Sequence, residues 1–123
     1  MFFASYLLSP KTVHRVVGHL EEQAVKTYTH AINDLDAGKL PQWTSMPAPE
    51  IATTYWKLKE GAKMRDLLLA VRADEACHSH VNHTLASLPG EATNPFRKGH
   101  TEVPKDFVQP PPGINMTTGK PLA

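Results

Sequence analysis

Apolar residues recur at three- and four-residue steps along two stretches of the chain, and this spacing predicts two long amphipathic helices. The first should begin after Ser9-Pro10, because serine caps free amides and proline loses no hydrogen bond in a first turn. We expect it to end at about Asp36, before Gly38. Its apolar positions are Val13, Val17, Leu20, Ala24, Tyr28, Ala31 and Leu35. The second helix should run from Gly61 to Pro89-Gly90. Its apolar positions are Met64, Leu67, Leu68, Val71, Ala76, Val81 and Leu85.

The remaining segments are short or polar. Prolines exclude a continuous helix through residues 39–50, and the compact apolar run 51–58 predicts a short helix. Residues 1–8 are apolar, and we favour the end of a helix that begins upstream, with a core segment as the alternative. Residues 89–123 are proline-rich and polar, which predicts a disordered tail. The predicted fold class is all-α, with two long helices and a short helix within residues 1–88.

Length, charge and cysteine count exclude several classes of protein. The chain has 123 residues, a formal net charge of +1 and one cysteine. This length allows one domain with a marginal core. The near-neutral charge gives no electrostatic footprint for nucleic acid, and one cysteine cannot form an internal disulfide. The apolar start is shorter than the roughly 20 residues of a membrane-spanning helix, and it lacks the basic flank of a signal peptide.

Polar residues on the apolar faces carry the candidate chemistry. Glu21 lies on the apolar face of the first long helix, with His14 two turns before it, and Glu75 and His78 are one turn apart on the second. An unpaired buried carboxylate costs several kcal/mol, so it must be protonated, paired or bound to metal. Glu-x-x-His with a glutamate from a facing helix is half the ligand set of a di-iron carboxylate bundle, and these ligands suit iron. Asp74 fits the carboxylate that commonly accepts the second N–H of a ligating histidine.

Glu-x-x-His alone also arises often by chance at a protein surface. The other functional interpretations of these residues are weaker than the metal site. Cys77 beside His78 does not favour a thiolate nucleophile with its base, because neighbours in a helix point about 100° apart. His78, His80 and His83 form a histidine-rich patch that suits zinc. Solvated or capping histidines explain His80 and His83 better, so a zinc-binding module is the last-ranked alternative.

Several segments resemble the signatures of one known family. Residues 20–25 read Leu-Glu-Glu-Gln-Ala-Val and are similar to its Leu-Glu-Glu-Glu-Ala segment. Residues 72–78 read Arg-Ala-Asp-Glu-Ala-Cys-His, are followed by Asn82-His83, and resemble its Arg-Ala-Asp-Glu-Ala-x-His … Asn-His segment. Residues 9–15 and 48–56 fit the rest of the pattern. The family is the alternative oxidases; the resemblance covers residues 2 to about 88 and points to fungal members.

The resemblance implies a ferritin-like di-iron four-helix bundle and a role for each matching residue. The implied iron ligands are Glu21, Glu75 and His78. Tyr28 is implied as the redox-active or hydrogen-bonding tyrosine between metal and quinol. The residues implied to line the quinol cavity are Val17, Leu20, Ala24 and Thr27. The residues implied around the ligands are His14, Asp74, Tyr55 and Trp56.

The resemblance also implies the reaction and its setting. Members oxidise ubiquinol and reduce oxygen to water at a non-haem di-iron centre, without pumping protons. We therefore expect ubiquinol and oxygen as substrates, iron as cofactor and a homodimer as the assembled form. The expected location is the matrix side of the mitochondrial inner membrane, on the membrane surface.

The sequence departs from the family pattern in ways that affect the expected activity. Gln23 replaces a glutamate, and Ser79 stands where arginine often follows the ligating histidine. The family's Asn-Glu-Arg-Met-His-Leu segment is absent from these residues, which leaves three of the six ligands of a complete site. We therefore interpret the chain as the C-terminal half of an alternative oxidase. The alternative is a non-catalytic, membrane-associated or dimerising helical remnant.

Overall fold

The computed structural model describes residues 2–96, so the predicted tail from residue 97 onward lies outside the described residues. Of the described part, 72% is helical, without strands, which confirms the all-α prediction. The five helices are α1 (Phe2–Leu8), α2 (Pro10–Asp36), α3 (Pro41–Thr44), α4 (Glu50–Tyr55) and α5 (Met64–Ser87). The division into a helical part to residue 88 and a separate tail stays a prediction.

Helix α2 begins and ends where its local sequence predicts. The Ser9 side chain accepts a hydrogen bond from the backbone N–H of Thr12, and Pro10 occupies the first turn. At the other end, the N–H of Ala37 donates to the carbonyl of Asn33, and Gly38 has a φ of 74°. That left-handed conformation favours glycine and ends the helix.

Helix α5 begins three residues later than the predicted start at Gly61. The carboxylate of Asp66 accepts a hydrogen bond of 2.9 Å from the backbone N–H of Lys63, which caps the first turn, and it forms an ion pair of 3.0 Å with Lys59. The backbone hydrogen bond, aided by Lys59, lowers the pKa of Asp66. The helix stops at Leu88, which is extended because the next residue is proline.

The connector between the long helices is anchored at one point. Pro47 and Lys63 form an isolated antiparallel bridge, and the N–H of buried Ala48 donates to the carbonyl of Ala62 over 2.9 Å. The short helix predicted for residues 51–58 is α4, which ends at Tyr55; Lys57 then adopts a φ of 49°. This bridge joins the segment that precedes α4 to the residue that precedes α5.

Helices α2 and α5 form the framework of the molecule. Contacts run from Asp36–Arg65 through Thr29–Arg72 and Gly18–Ser79 to Arg15–Ser87, so the numbers rise on one helix as they fall on the other. The helices are therefore antiparallel. The apolar cluster between them consists of Ile32, Leu35 and Leu68.

Helix α1 contributes little to this core. All of its residues are exposed, with Phe3 73% and Leu8 88% accessible. Residues 2–8 are therefore helical and lie outside the described core, and the interpretation of this helix as the end of one that begins upstream stays a prediction. Among the described residues, none of the helices has the length and hydropathy needed to cross a membrane.

Candidate metal centre

The α2–α5 pair brings the three predicted metal ligands together. Glu21 lies on α2, and Glu75 and His78 lie one turn apart on α5. One ligand atom from each, two carboxylate oxygens and an imidazole nitrogen, lies within 4.8 Å of the others. Both glutamates are half-buried, whereas His78 is exposed. The cluster therefore opens toward the side of the helix pair that no described residue covers.

An asparagine that the sequence pattern did not single out as functional organises this cluster. The Nδ2 group of Asn82 donates to Oε2 of Glu21 over 2.9 Å and to the carbonyl of His78 over 3.1 Å. Its Oδ1 lies 2.8 Å from Nδ1 of His14. A carboxylate only accepts, so the amide nitrogen of Asn82 faces Glu21, its oxygen faces His14, and His14 carries a proton on Nδ1. The available signal was position, since Asn82 follows His78 by four residues on the same face of α5.

Of the residues expected around the ligands, Trp56, Asp74 and His14 form hydrogen bonds beside the cluster, whereas Tyr55 is exposed. The indole Nε1 of Trp56 donates to Oδ2 of Asp74 over 2.7 Å, which ties the end of α4 to α5 one residue before Glu75. His14 reaches Glu21 only through Asn82. Tyr55 is 73% exposed and contacts the ring of Trp56 edge-on, with centroids 4.7 Å apart.

Tyr28 and the expected quinol-cavity residues lie along α2 beside the cluster. Tyr28 is half-buried against the core of Ile32, Leu35 and Leu68, about 10 Å along the helix axis from Glu21. Val17 and Ala24 are half-buried, while Thr27 and Leu20 are exposed. A separate depression of about 460 Å³ lies beside His14, between the start of α2 and the end of α5. None of the four expected quinol residues lines it, so their role stays a prediction.

Burial shifts the pKa of two further side chains on α5, Arg72 and Cys77. Arg72 is buried, donates to Oγ1 of Thr29 over 3.2 Å, and leaves its second terminal nitrogen without a hydrogen bond. Burial, and secondarily the charge of Arg65, lowers the pKa of Arg72. Burial, with the charge of Asp74 adding to it, raises the pKa of the half-buried Cys77 thiol. This thiol suits packing better than nucleophilic chemistry.

The donor set of the cluster fits iron. Two carboxylates and one imidazole are ligands that non-haem iron accepts, and no thiolate is needed. They come from the two facing helices in the arrangement that di-iron bundles use, one glutamate opposite a Glu-x-x-His pair. The amide of Asn82 holds Glu21, as groups behind a metal ligand commonly do.

Comparison with known proteins agrees with this arrangement. The model of the family described as alternative oxidase matches residues 1–87. The chain belongs to the alternative oxidase family. Mitochondrial alternative oxidases from several fungi are among its similar proteins, so the sequence-based recognition is confirmed.

Three of these relatives define the extent of the similarity. The Emericella nidulans protein is 56% identical over 124 aligned residues, which span 96% of this chain and 34% of the relative. The Ajellomyces capsulatus protein is 60% identical over 97 residues, or 77% of this chain and 27% of the relative. The Aspergillus niger protein is 61% identical over 88 residues, or 71% and 25%. This alternative oxidase chain therefore spans about a quarter to a third of the length of these relatives.

Proposed function

We propose that the chain forms part of a ubiquinol oxidase in which Glu21, Glu75 and His78 bind iron. The reaction is the transfer of electrons from ubiquinol to oxygen, so that two ubiquinols and one oxygen yield two ubiquinones and two waters without proton pumping. Iron supplies the redox chemistry of oxygen reduction when bound. The observation that carries the proposal is the convergence of these three ligand atoms within 4.8 Å in a chain of the alternative oxidase family.

The hydrogen bonds behind the cluster support a site prepared for a cation. Asn82 fixes one oxygen of Glu21, which leaves the other free to point toward a metal. The bond from Trp56 holds Asp74 beside Glu75. Holding carboxylates in place before the cation arrives reduces the entropy that binding costs. These contacts restrain the carboxylate of Glu21 and the turn of α5 that carries Glu75.

Tyr28 is proposed to act between the metal and the quinol. It lies on the same face of α2 as Glu21, two turns further along, and its ring is held against the core. Its hydroxyl can donate and accept a hydrogen bond, which suits either proton transfer or orientation of a quinol. Val17, Leu20, Ala24 and Thr27 form the adjoining stripe proposed to contact the quinol ring and tail.

Exposed apolar residues support a location on a membrane surface. Phe2, Phe3, Leu7 and Leu8 on α1 are each at least 63% accessible, and Leu20 on α2 is 63% accessible. A short apolar helix of this kind buries its side chains at the boundary between headgroups and acyl chains. We place this surface on the matrix side of the mitochondrial inner membrane, consistent with relatives described as mitochondrial.

The experiment that tests the oxidase uses the native protein that contains this chain, with all segments that its gene encodes. Quinol-dependent oxygen uptake that persists in cyanide is measured beside iron content. We expect Glu75→Ala and His78→Ala to abolish uptake and to lose iron. The matched controls Glu60→Ala and His80→Ala, at positions outside the cluster, should retain both. Uptake near the native rate in Glu75→Ala or His78→Ala would refute the assignment.

Tyr28→Phe separates the catalytic role of tyrosine from a structural one. We expect severely reduced uptake with native iron content, because the substitution removes the hydroxyl and keeps the ring in the core. Loss of iron in this variant would instead indicate a structural role. Native protein that neither binds iron nor consumes oxygen with quinol would favour the non-catalytic remnant, and chemical cross-linking in membranes tests the proposed homodimer.

A further inference from the structure

A second cluster of ligand-type side chains lies on the other flank of the α2–α5 contact. It consists of His19 and Glu22 from α2 and His83 from α5, and one ligand atom of each lies within 4.8 Å of the others. Glu22 directly follows Glu21, so the two carboxylates leave the helix about 100° apart. The second cluster is therefore separate from the candidate iron site.

The geometry of this cluster is close to that of a three-ligand metal site. Nδ1 of His19 lies 3.0 Å from Oε2 of Glu22, and Nε2 of His83 lies 2.9 Å from Oε1 of the same carboxylate. The two imidazole rings meet edge-on, with centroids 4.9 Å apart. Ligand atoms around a tetrahedral zinc with bonds of 2.0–2.1 Å stand about 3.3 Å apart. The separations of 2.9 and 3.0 Å in this cluster are close to that spacing.

His83 is held in this position by the backbone of α2. Gly18 has no side chain, and a Cβ there would lie 2.9 Å from Nε2 of His83, so only glycine lets the ring approach. Nε2 is buried and makes no hydrogen bond of acceptable angle, despite the carboxylate 2.9 Å away.

We propose that His19, Glu22 and His83 bind Zn²⁺ at the protein surface, with a fourth position left to water. Two imidazoles and a carboxylate are a ligand set that tetrahedral zinc takes when one position stays open. The side chains are 62%, 44% and 24% accessible for His19, Glu22 and His83, so zinc enters and leaves from solvent.

The guanidinium of Arg15 lies beside His83, and its positive charge should oppose zinc binding. Its NH1 group lies 3.4 Å from Nδ1 of His83, and NH2 donates to Oγ of Ser87 over 3.1 Å. Arginine only donates, so Nδ1 accepts and the ring proton resides on Nε2. Zinc at Nε2 moves that proton to Nδ1 or to solvent and brings two positive charges close to the guanidinium. Removal of Arg15 should therefore tighten zinc binding.

The test measures zinc and iron together by mass spectrometry after equilibrium dialysis of the iron-loaded native protein against ZnCl₂. We expect one zinc per chain without loss of iron. His19→Ala, Glu22→Gln and His83→Gln should each weaken zinc binding by at least about tenfold, because each removes a ligand. Arg15→Gln should bind zinc more tightly. His30→Ala and His80→Ala, which change histidines outside both clusters, should bind zinc as the native protein does.

Several results would overturn the proposal. One is zinc affinity that is unchanged in His19→Ala and Glu22→Gln, two exposed or half-buried positions where folding is expected to survive. Another is zinc that enters only as iron leaves, or that is lost in Glu75→Gln, since it would then occupy the first cluster. Zinc content is measured without reference to quinol-dependent oxygen uptake, so an absence of oxidase activity would leave the zinc result intact.

Discussion

Replacement of Asn82 by leucine should weaken metal binding without unfolding the helix pair. Leucine has nearly the same shape and a higher helix propensity than asparagine, so α5 should keep its structure. It removes the amide that donates to Glu21 over 2.9 Å and accepts from His14 at 2.8 Å. Glu21 then has no described group that holds its carboxylate.

The size of the effect follows from these two contacts. A hydrogen bond to a charged carboxylate contributes about 1.5–3 kcal/mol, and a neutral one about 0.5–1.5 kcal/mol. Asn82 is half-buried, so water replaces part of each, and we take about 2 kcal/mol as the net loss at Glu21. That corresponds to an iron affinity roughly 30-fold weaker, within the 10–100-fold range typical of groups that orient a metal ligand.

The assay is competition for Fe²⁺ between the native protein and a chelator of known affinity. Asn33→Leu is the matched control, because it makes the same substitution at an exposed position of α2 outside the cluster. Far-ultraviolet circular dichroism checks that helix content is retained in both variants. An affinity for Asn82→Leu within about twofold of the native value, with the fold intact, would refute the role assigned to this amide.

Three further predictions concern packing, capping and the thiol. Gly18→Ala should lower the melting temperature, because its Cβ would lie 2.9 Å from the His83 ring. In a His83→Ala background the same substitution should instead stabilise the protein, relative to His83→Ala alone, by about 1 kcal/mol, which is the helix preference for alanine over glycine. Destabilisation that persists in the double variant would contradict this steric account. Asp66→Ala should cost about 1 kcal/mol in thermal unfolding at neutral pH. Because folding lowers the pKa of Asp66 from 3.8, the stabilisation by Asp66 is fully present above pH 3.8 and is lost as the pH falls through the lowered pKa. A difference in stability between native protein and variant that stays unchanged at more acidic pH would refute the cap. Cys77 should react with iodoacetamide more slowly than glutathione near pH 7.5, because its pKa is raised; an equal or faster rate would contradict this.

Local signals predicted the helices well because short-range contacts determine their ends. Ser9 and Gly38 bound α2 as expected, since capping and a left-handed glycine depend only on neighbouring residues. The start of α5 was predicted early because Gly61 ends the connector, whereas Asp66 defines the first turn three residues later through its bond to Lys63. The competing signal was an acidic residue at the third helical position, where its carboxylate can accept a hydrogen bond from the N-cap backbone N–H.

Contacts between the helices were less predictable from periodicity. Leu20 belongs to the apolar stripe but is 63% exposed, because α5 contacts the side of α2 that includes Gly18 and Ile32, and Leu20 points away from that side. A stripe wider than one partner helix does not say which part the partner covers. The grouping of Glu21 with Glu75 and His78 was nevertheless predictable, since all three follow from a di-iron ligand pattern.

The contacts of Asn82 and His83 required the structure. Each depends on the register between α2 and α5, which no local signal specifies. The sequence pattern groups His83 with His80, but His83 lies against Gly18 and Glu22, and His80 belongs to neither ligand cluster in the described part of the chain. A helix register shifted by one residue would separate these pairs, because neighbouring side chains point about 100° apart.

Anomalous diffraction at the iron absorption edge, from crystals of the native protein that contains this chain, tests the central claim most directly. The account predicts an iron peak within bonding distance of a carboxylate oxygen of Glu21, a carboxylate oxygen of Glu75 and an imidazole nitrogen of His78. An iron peak that contacts none of these three side chains, or crystals of active enzyme without iron between α2 and α5, would contradict it.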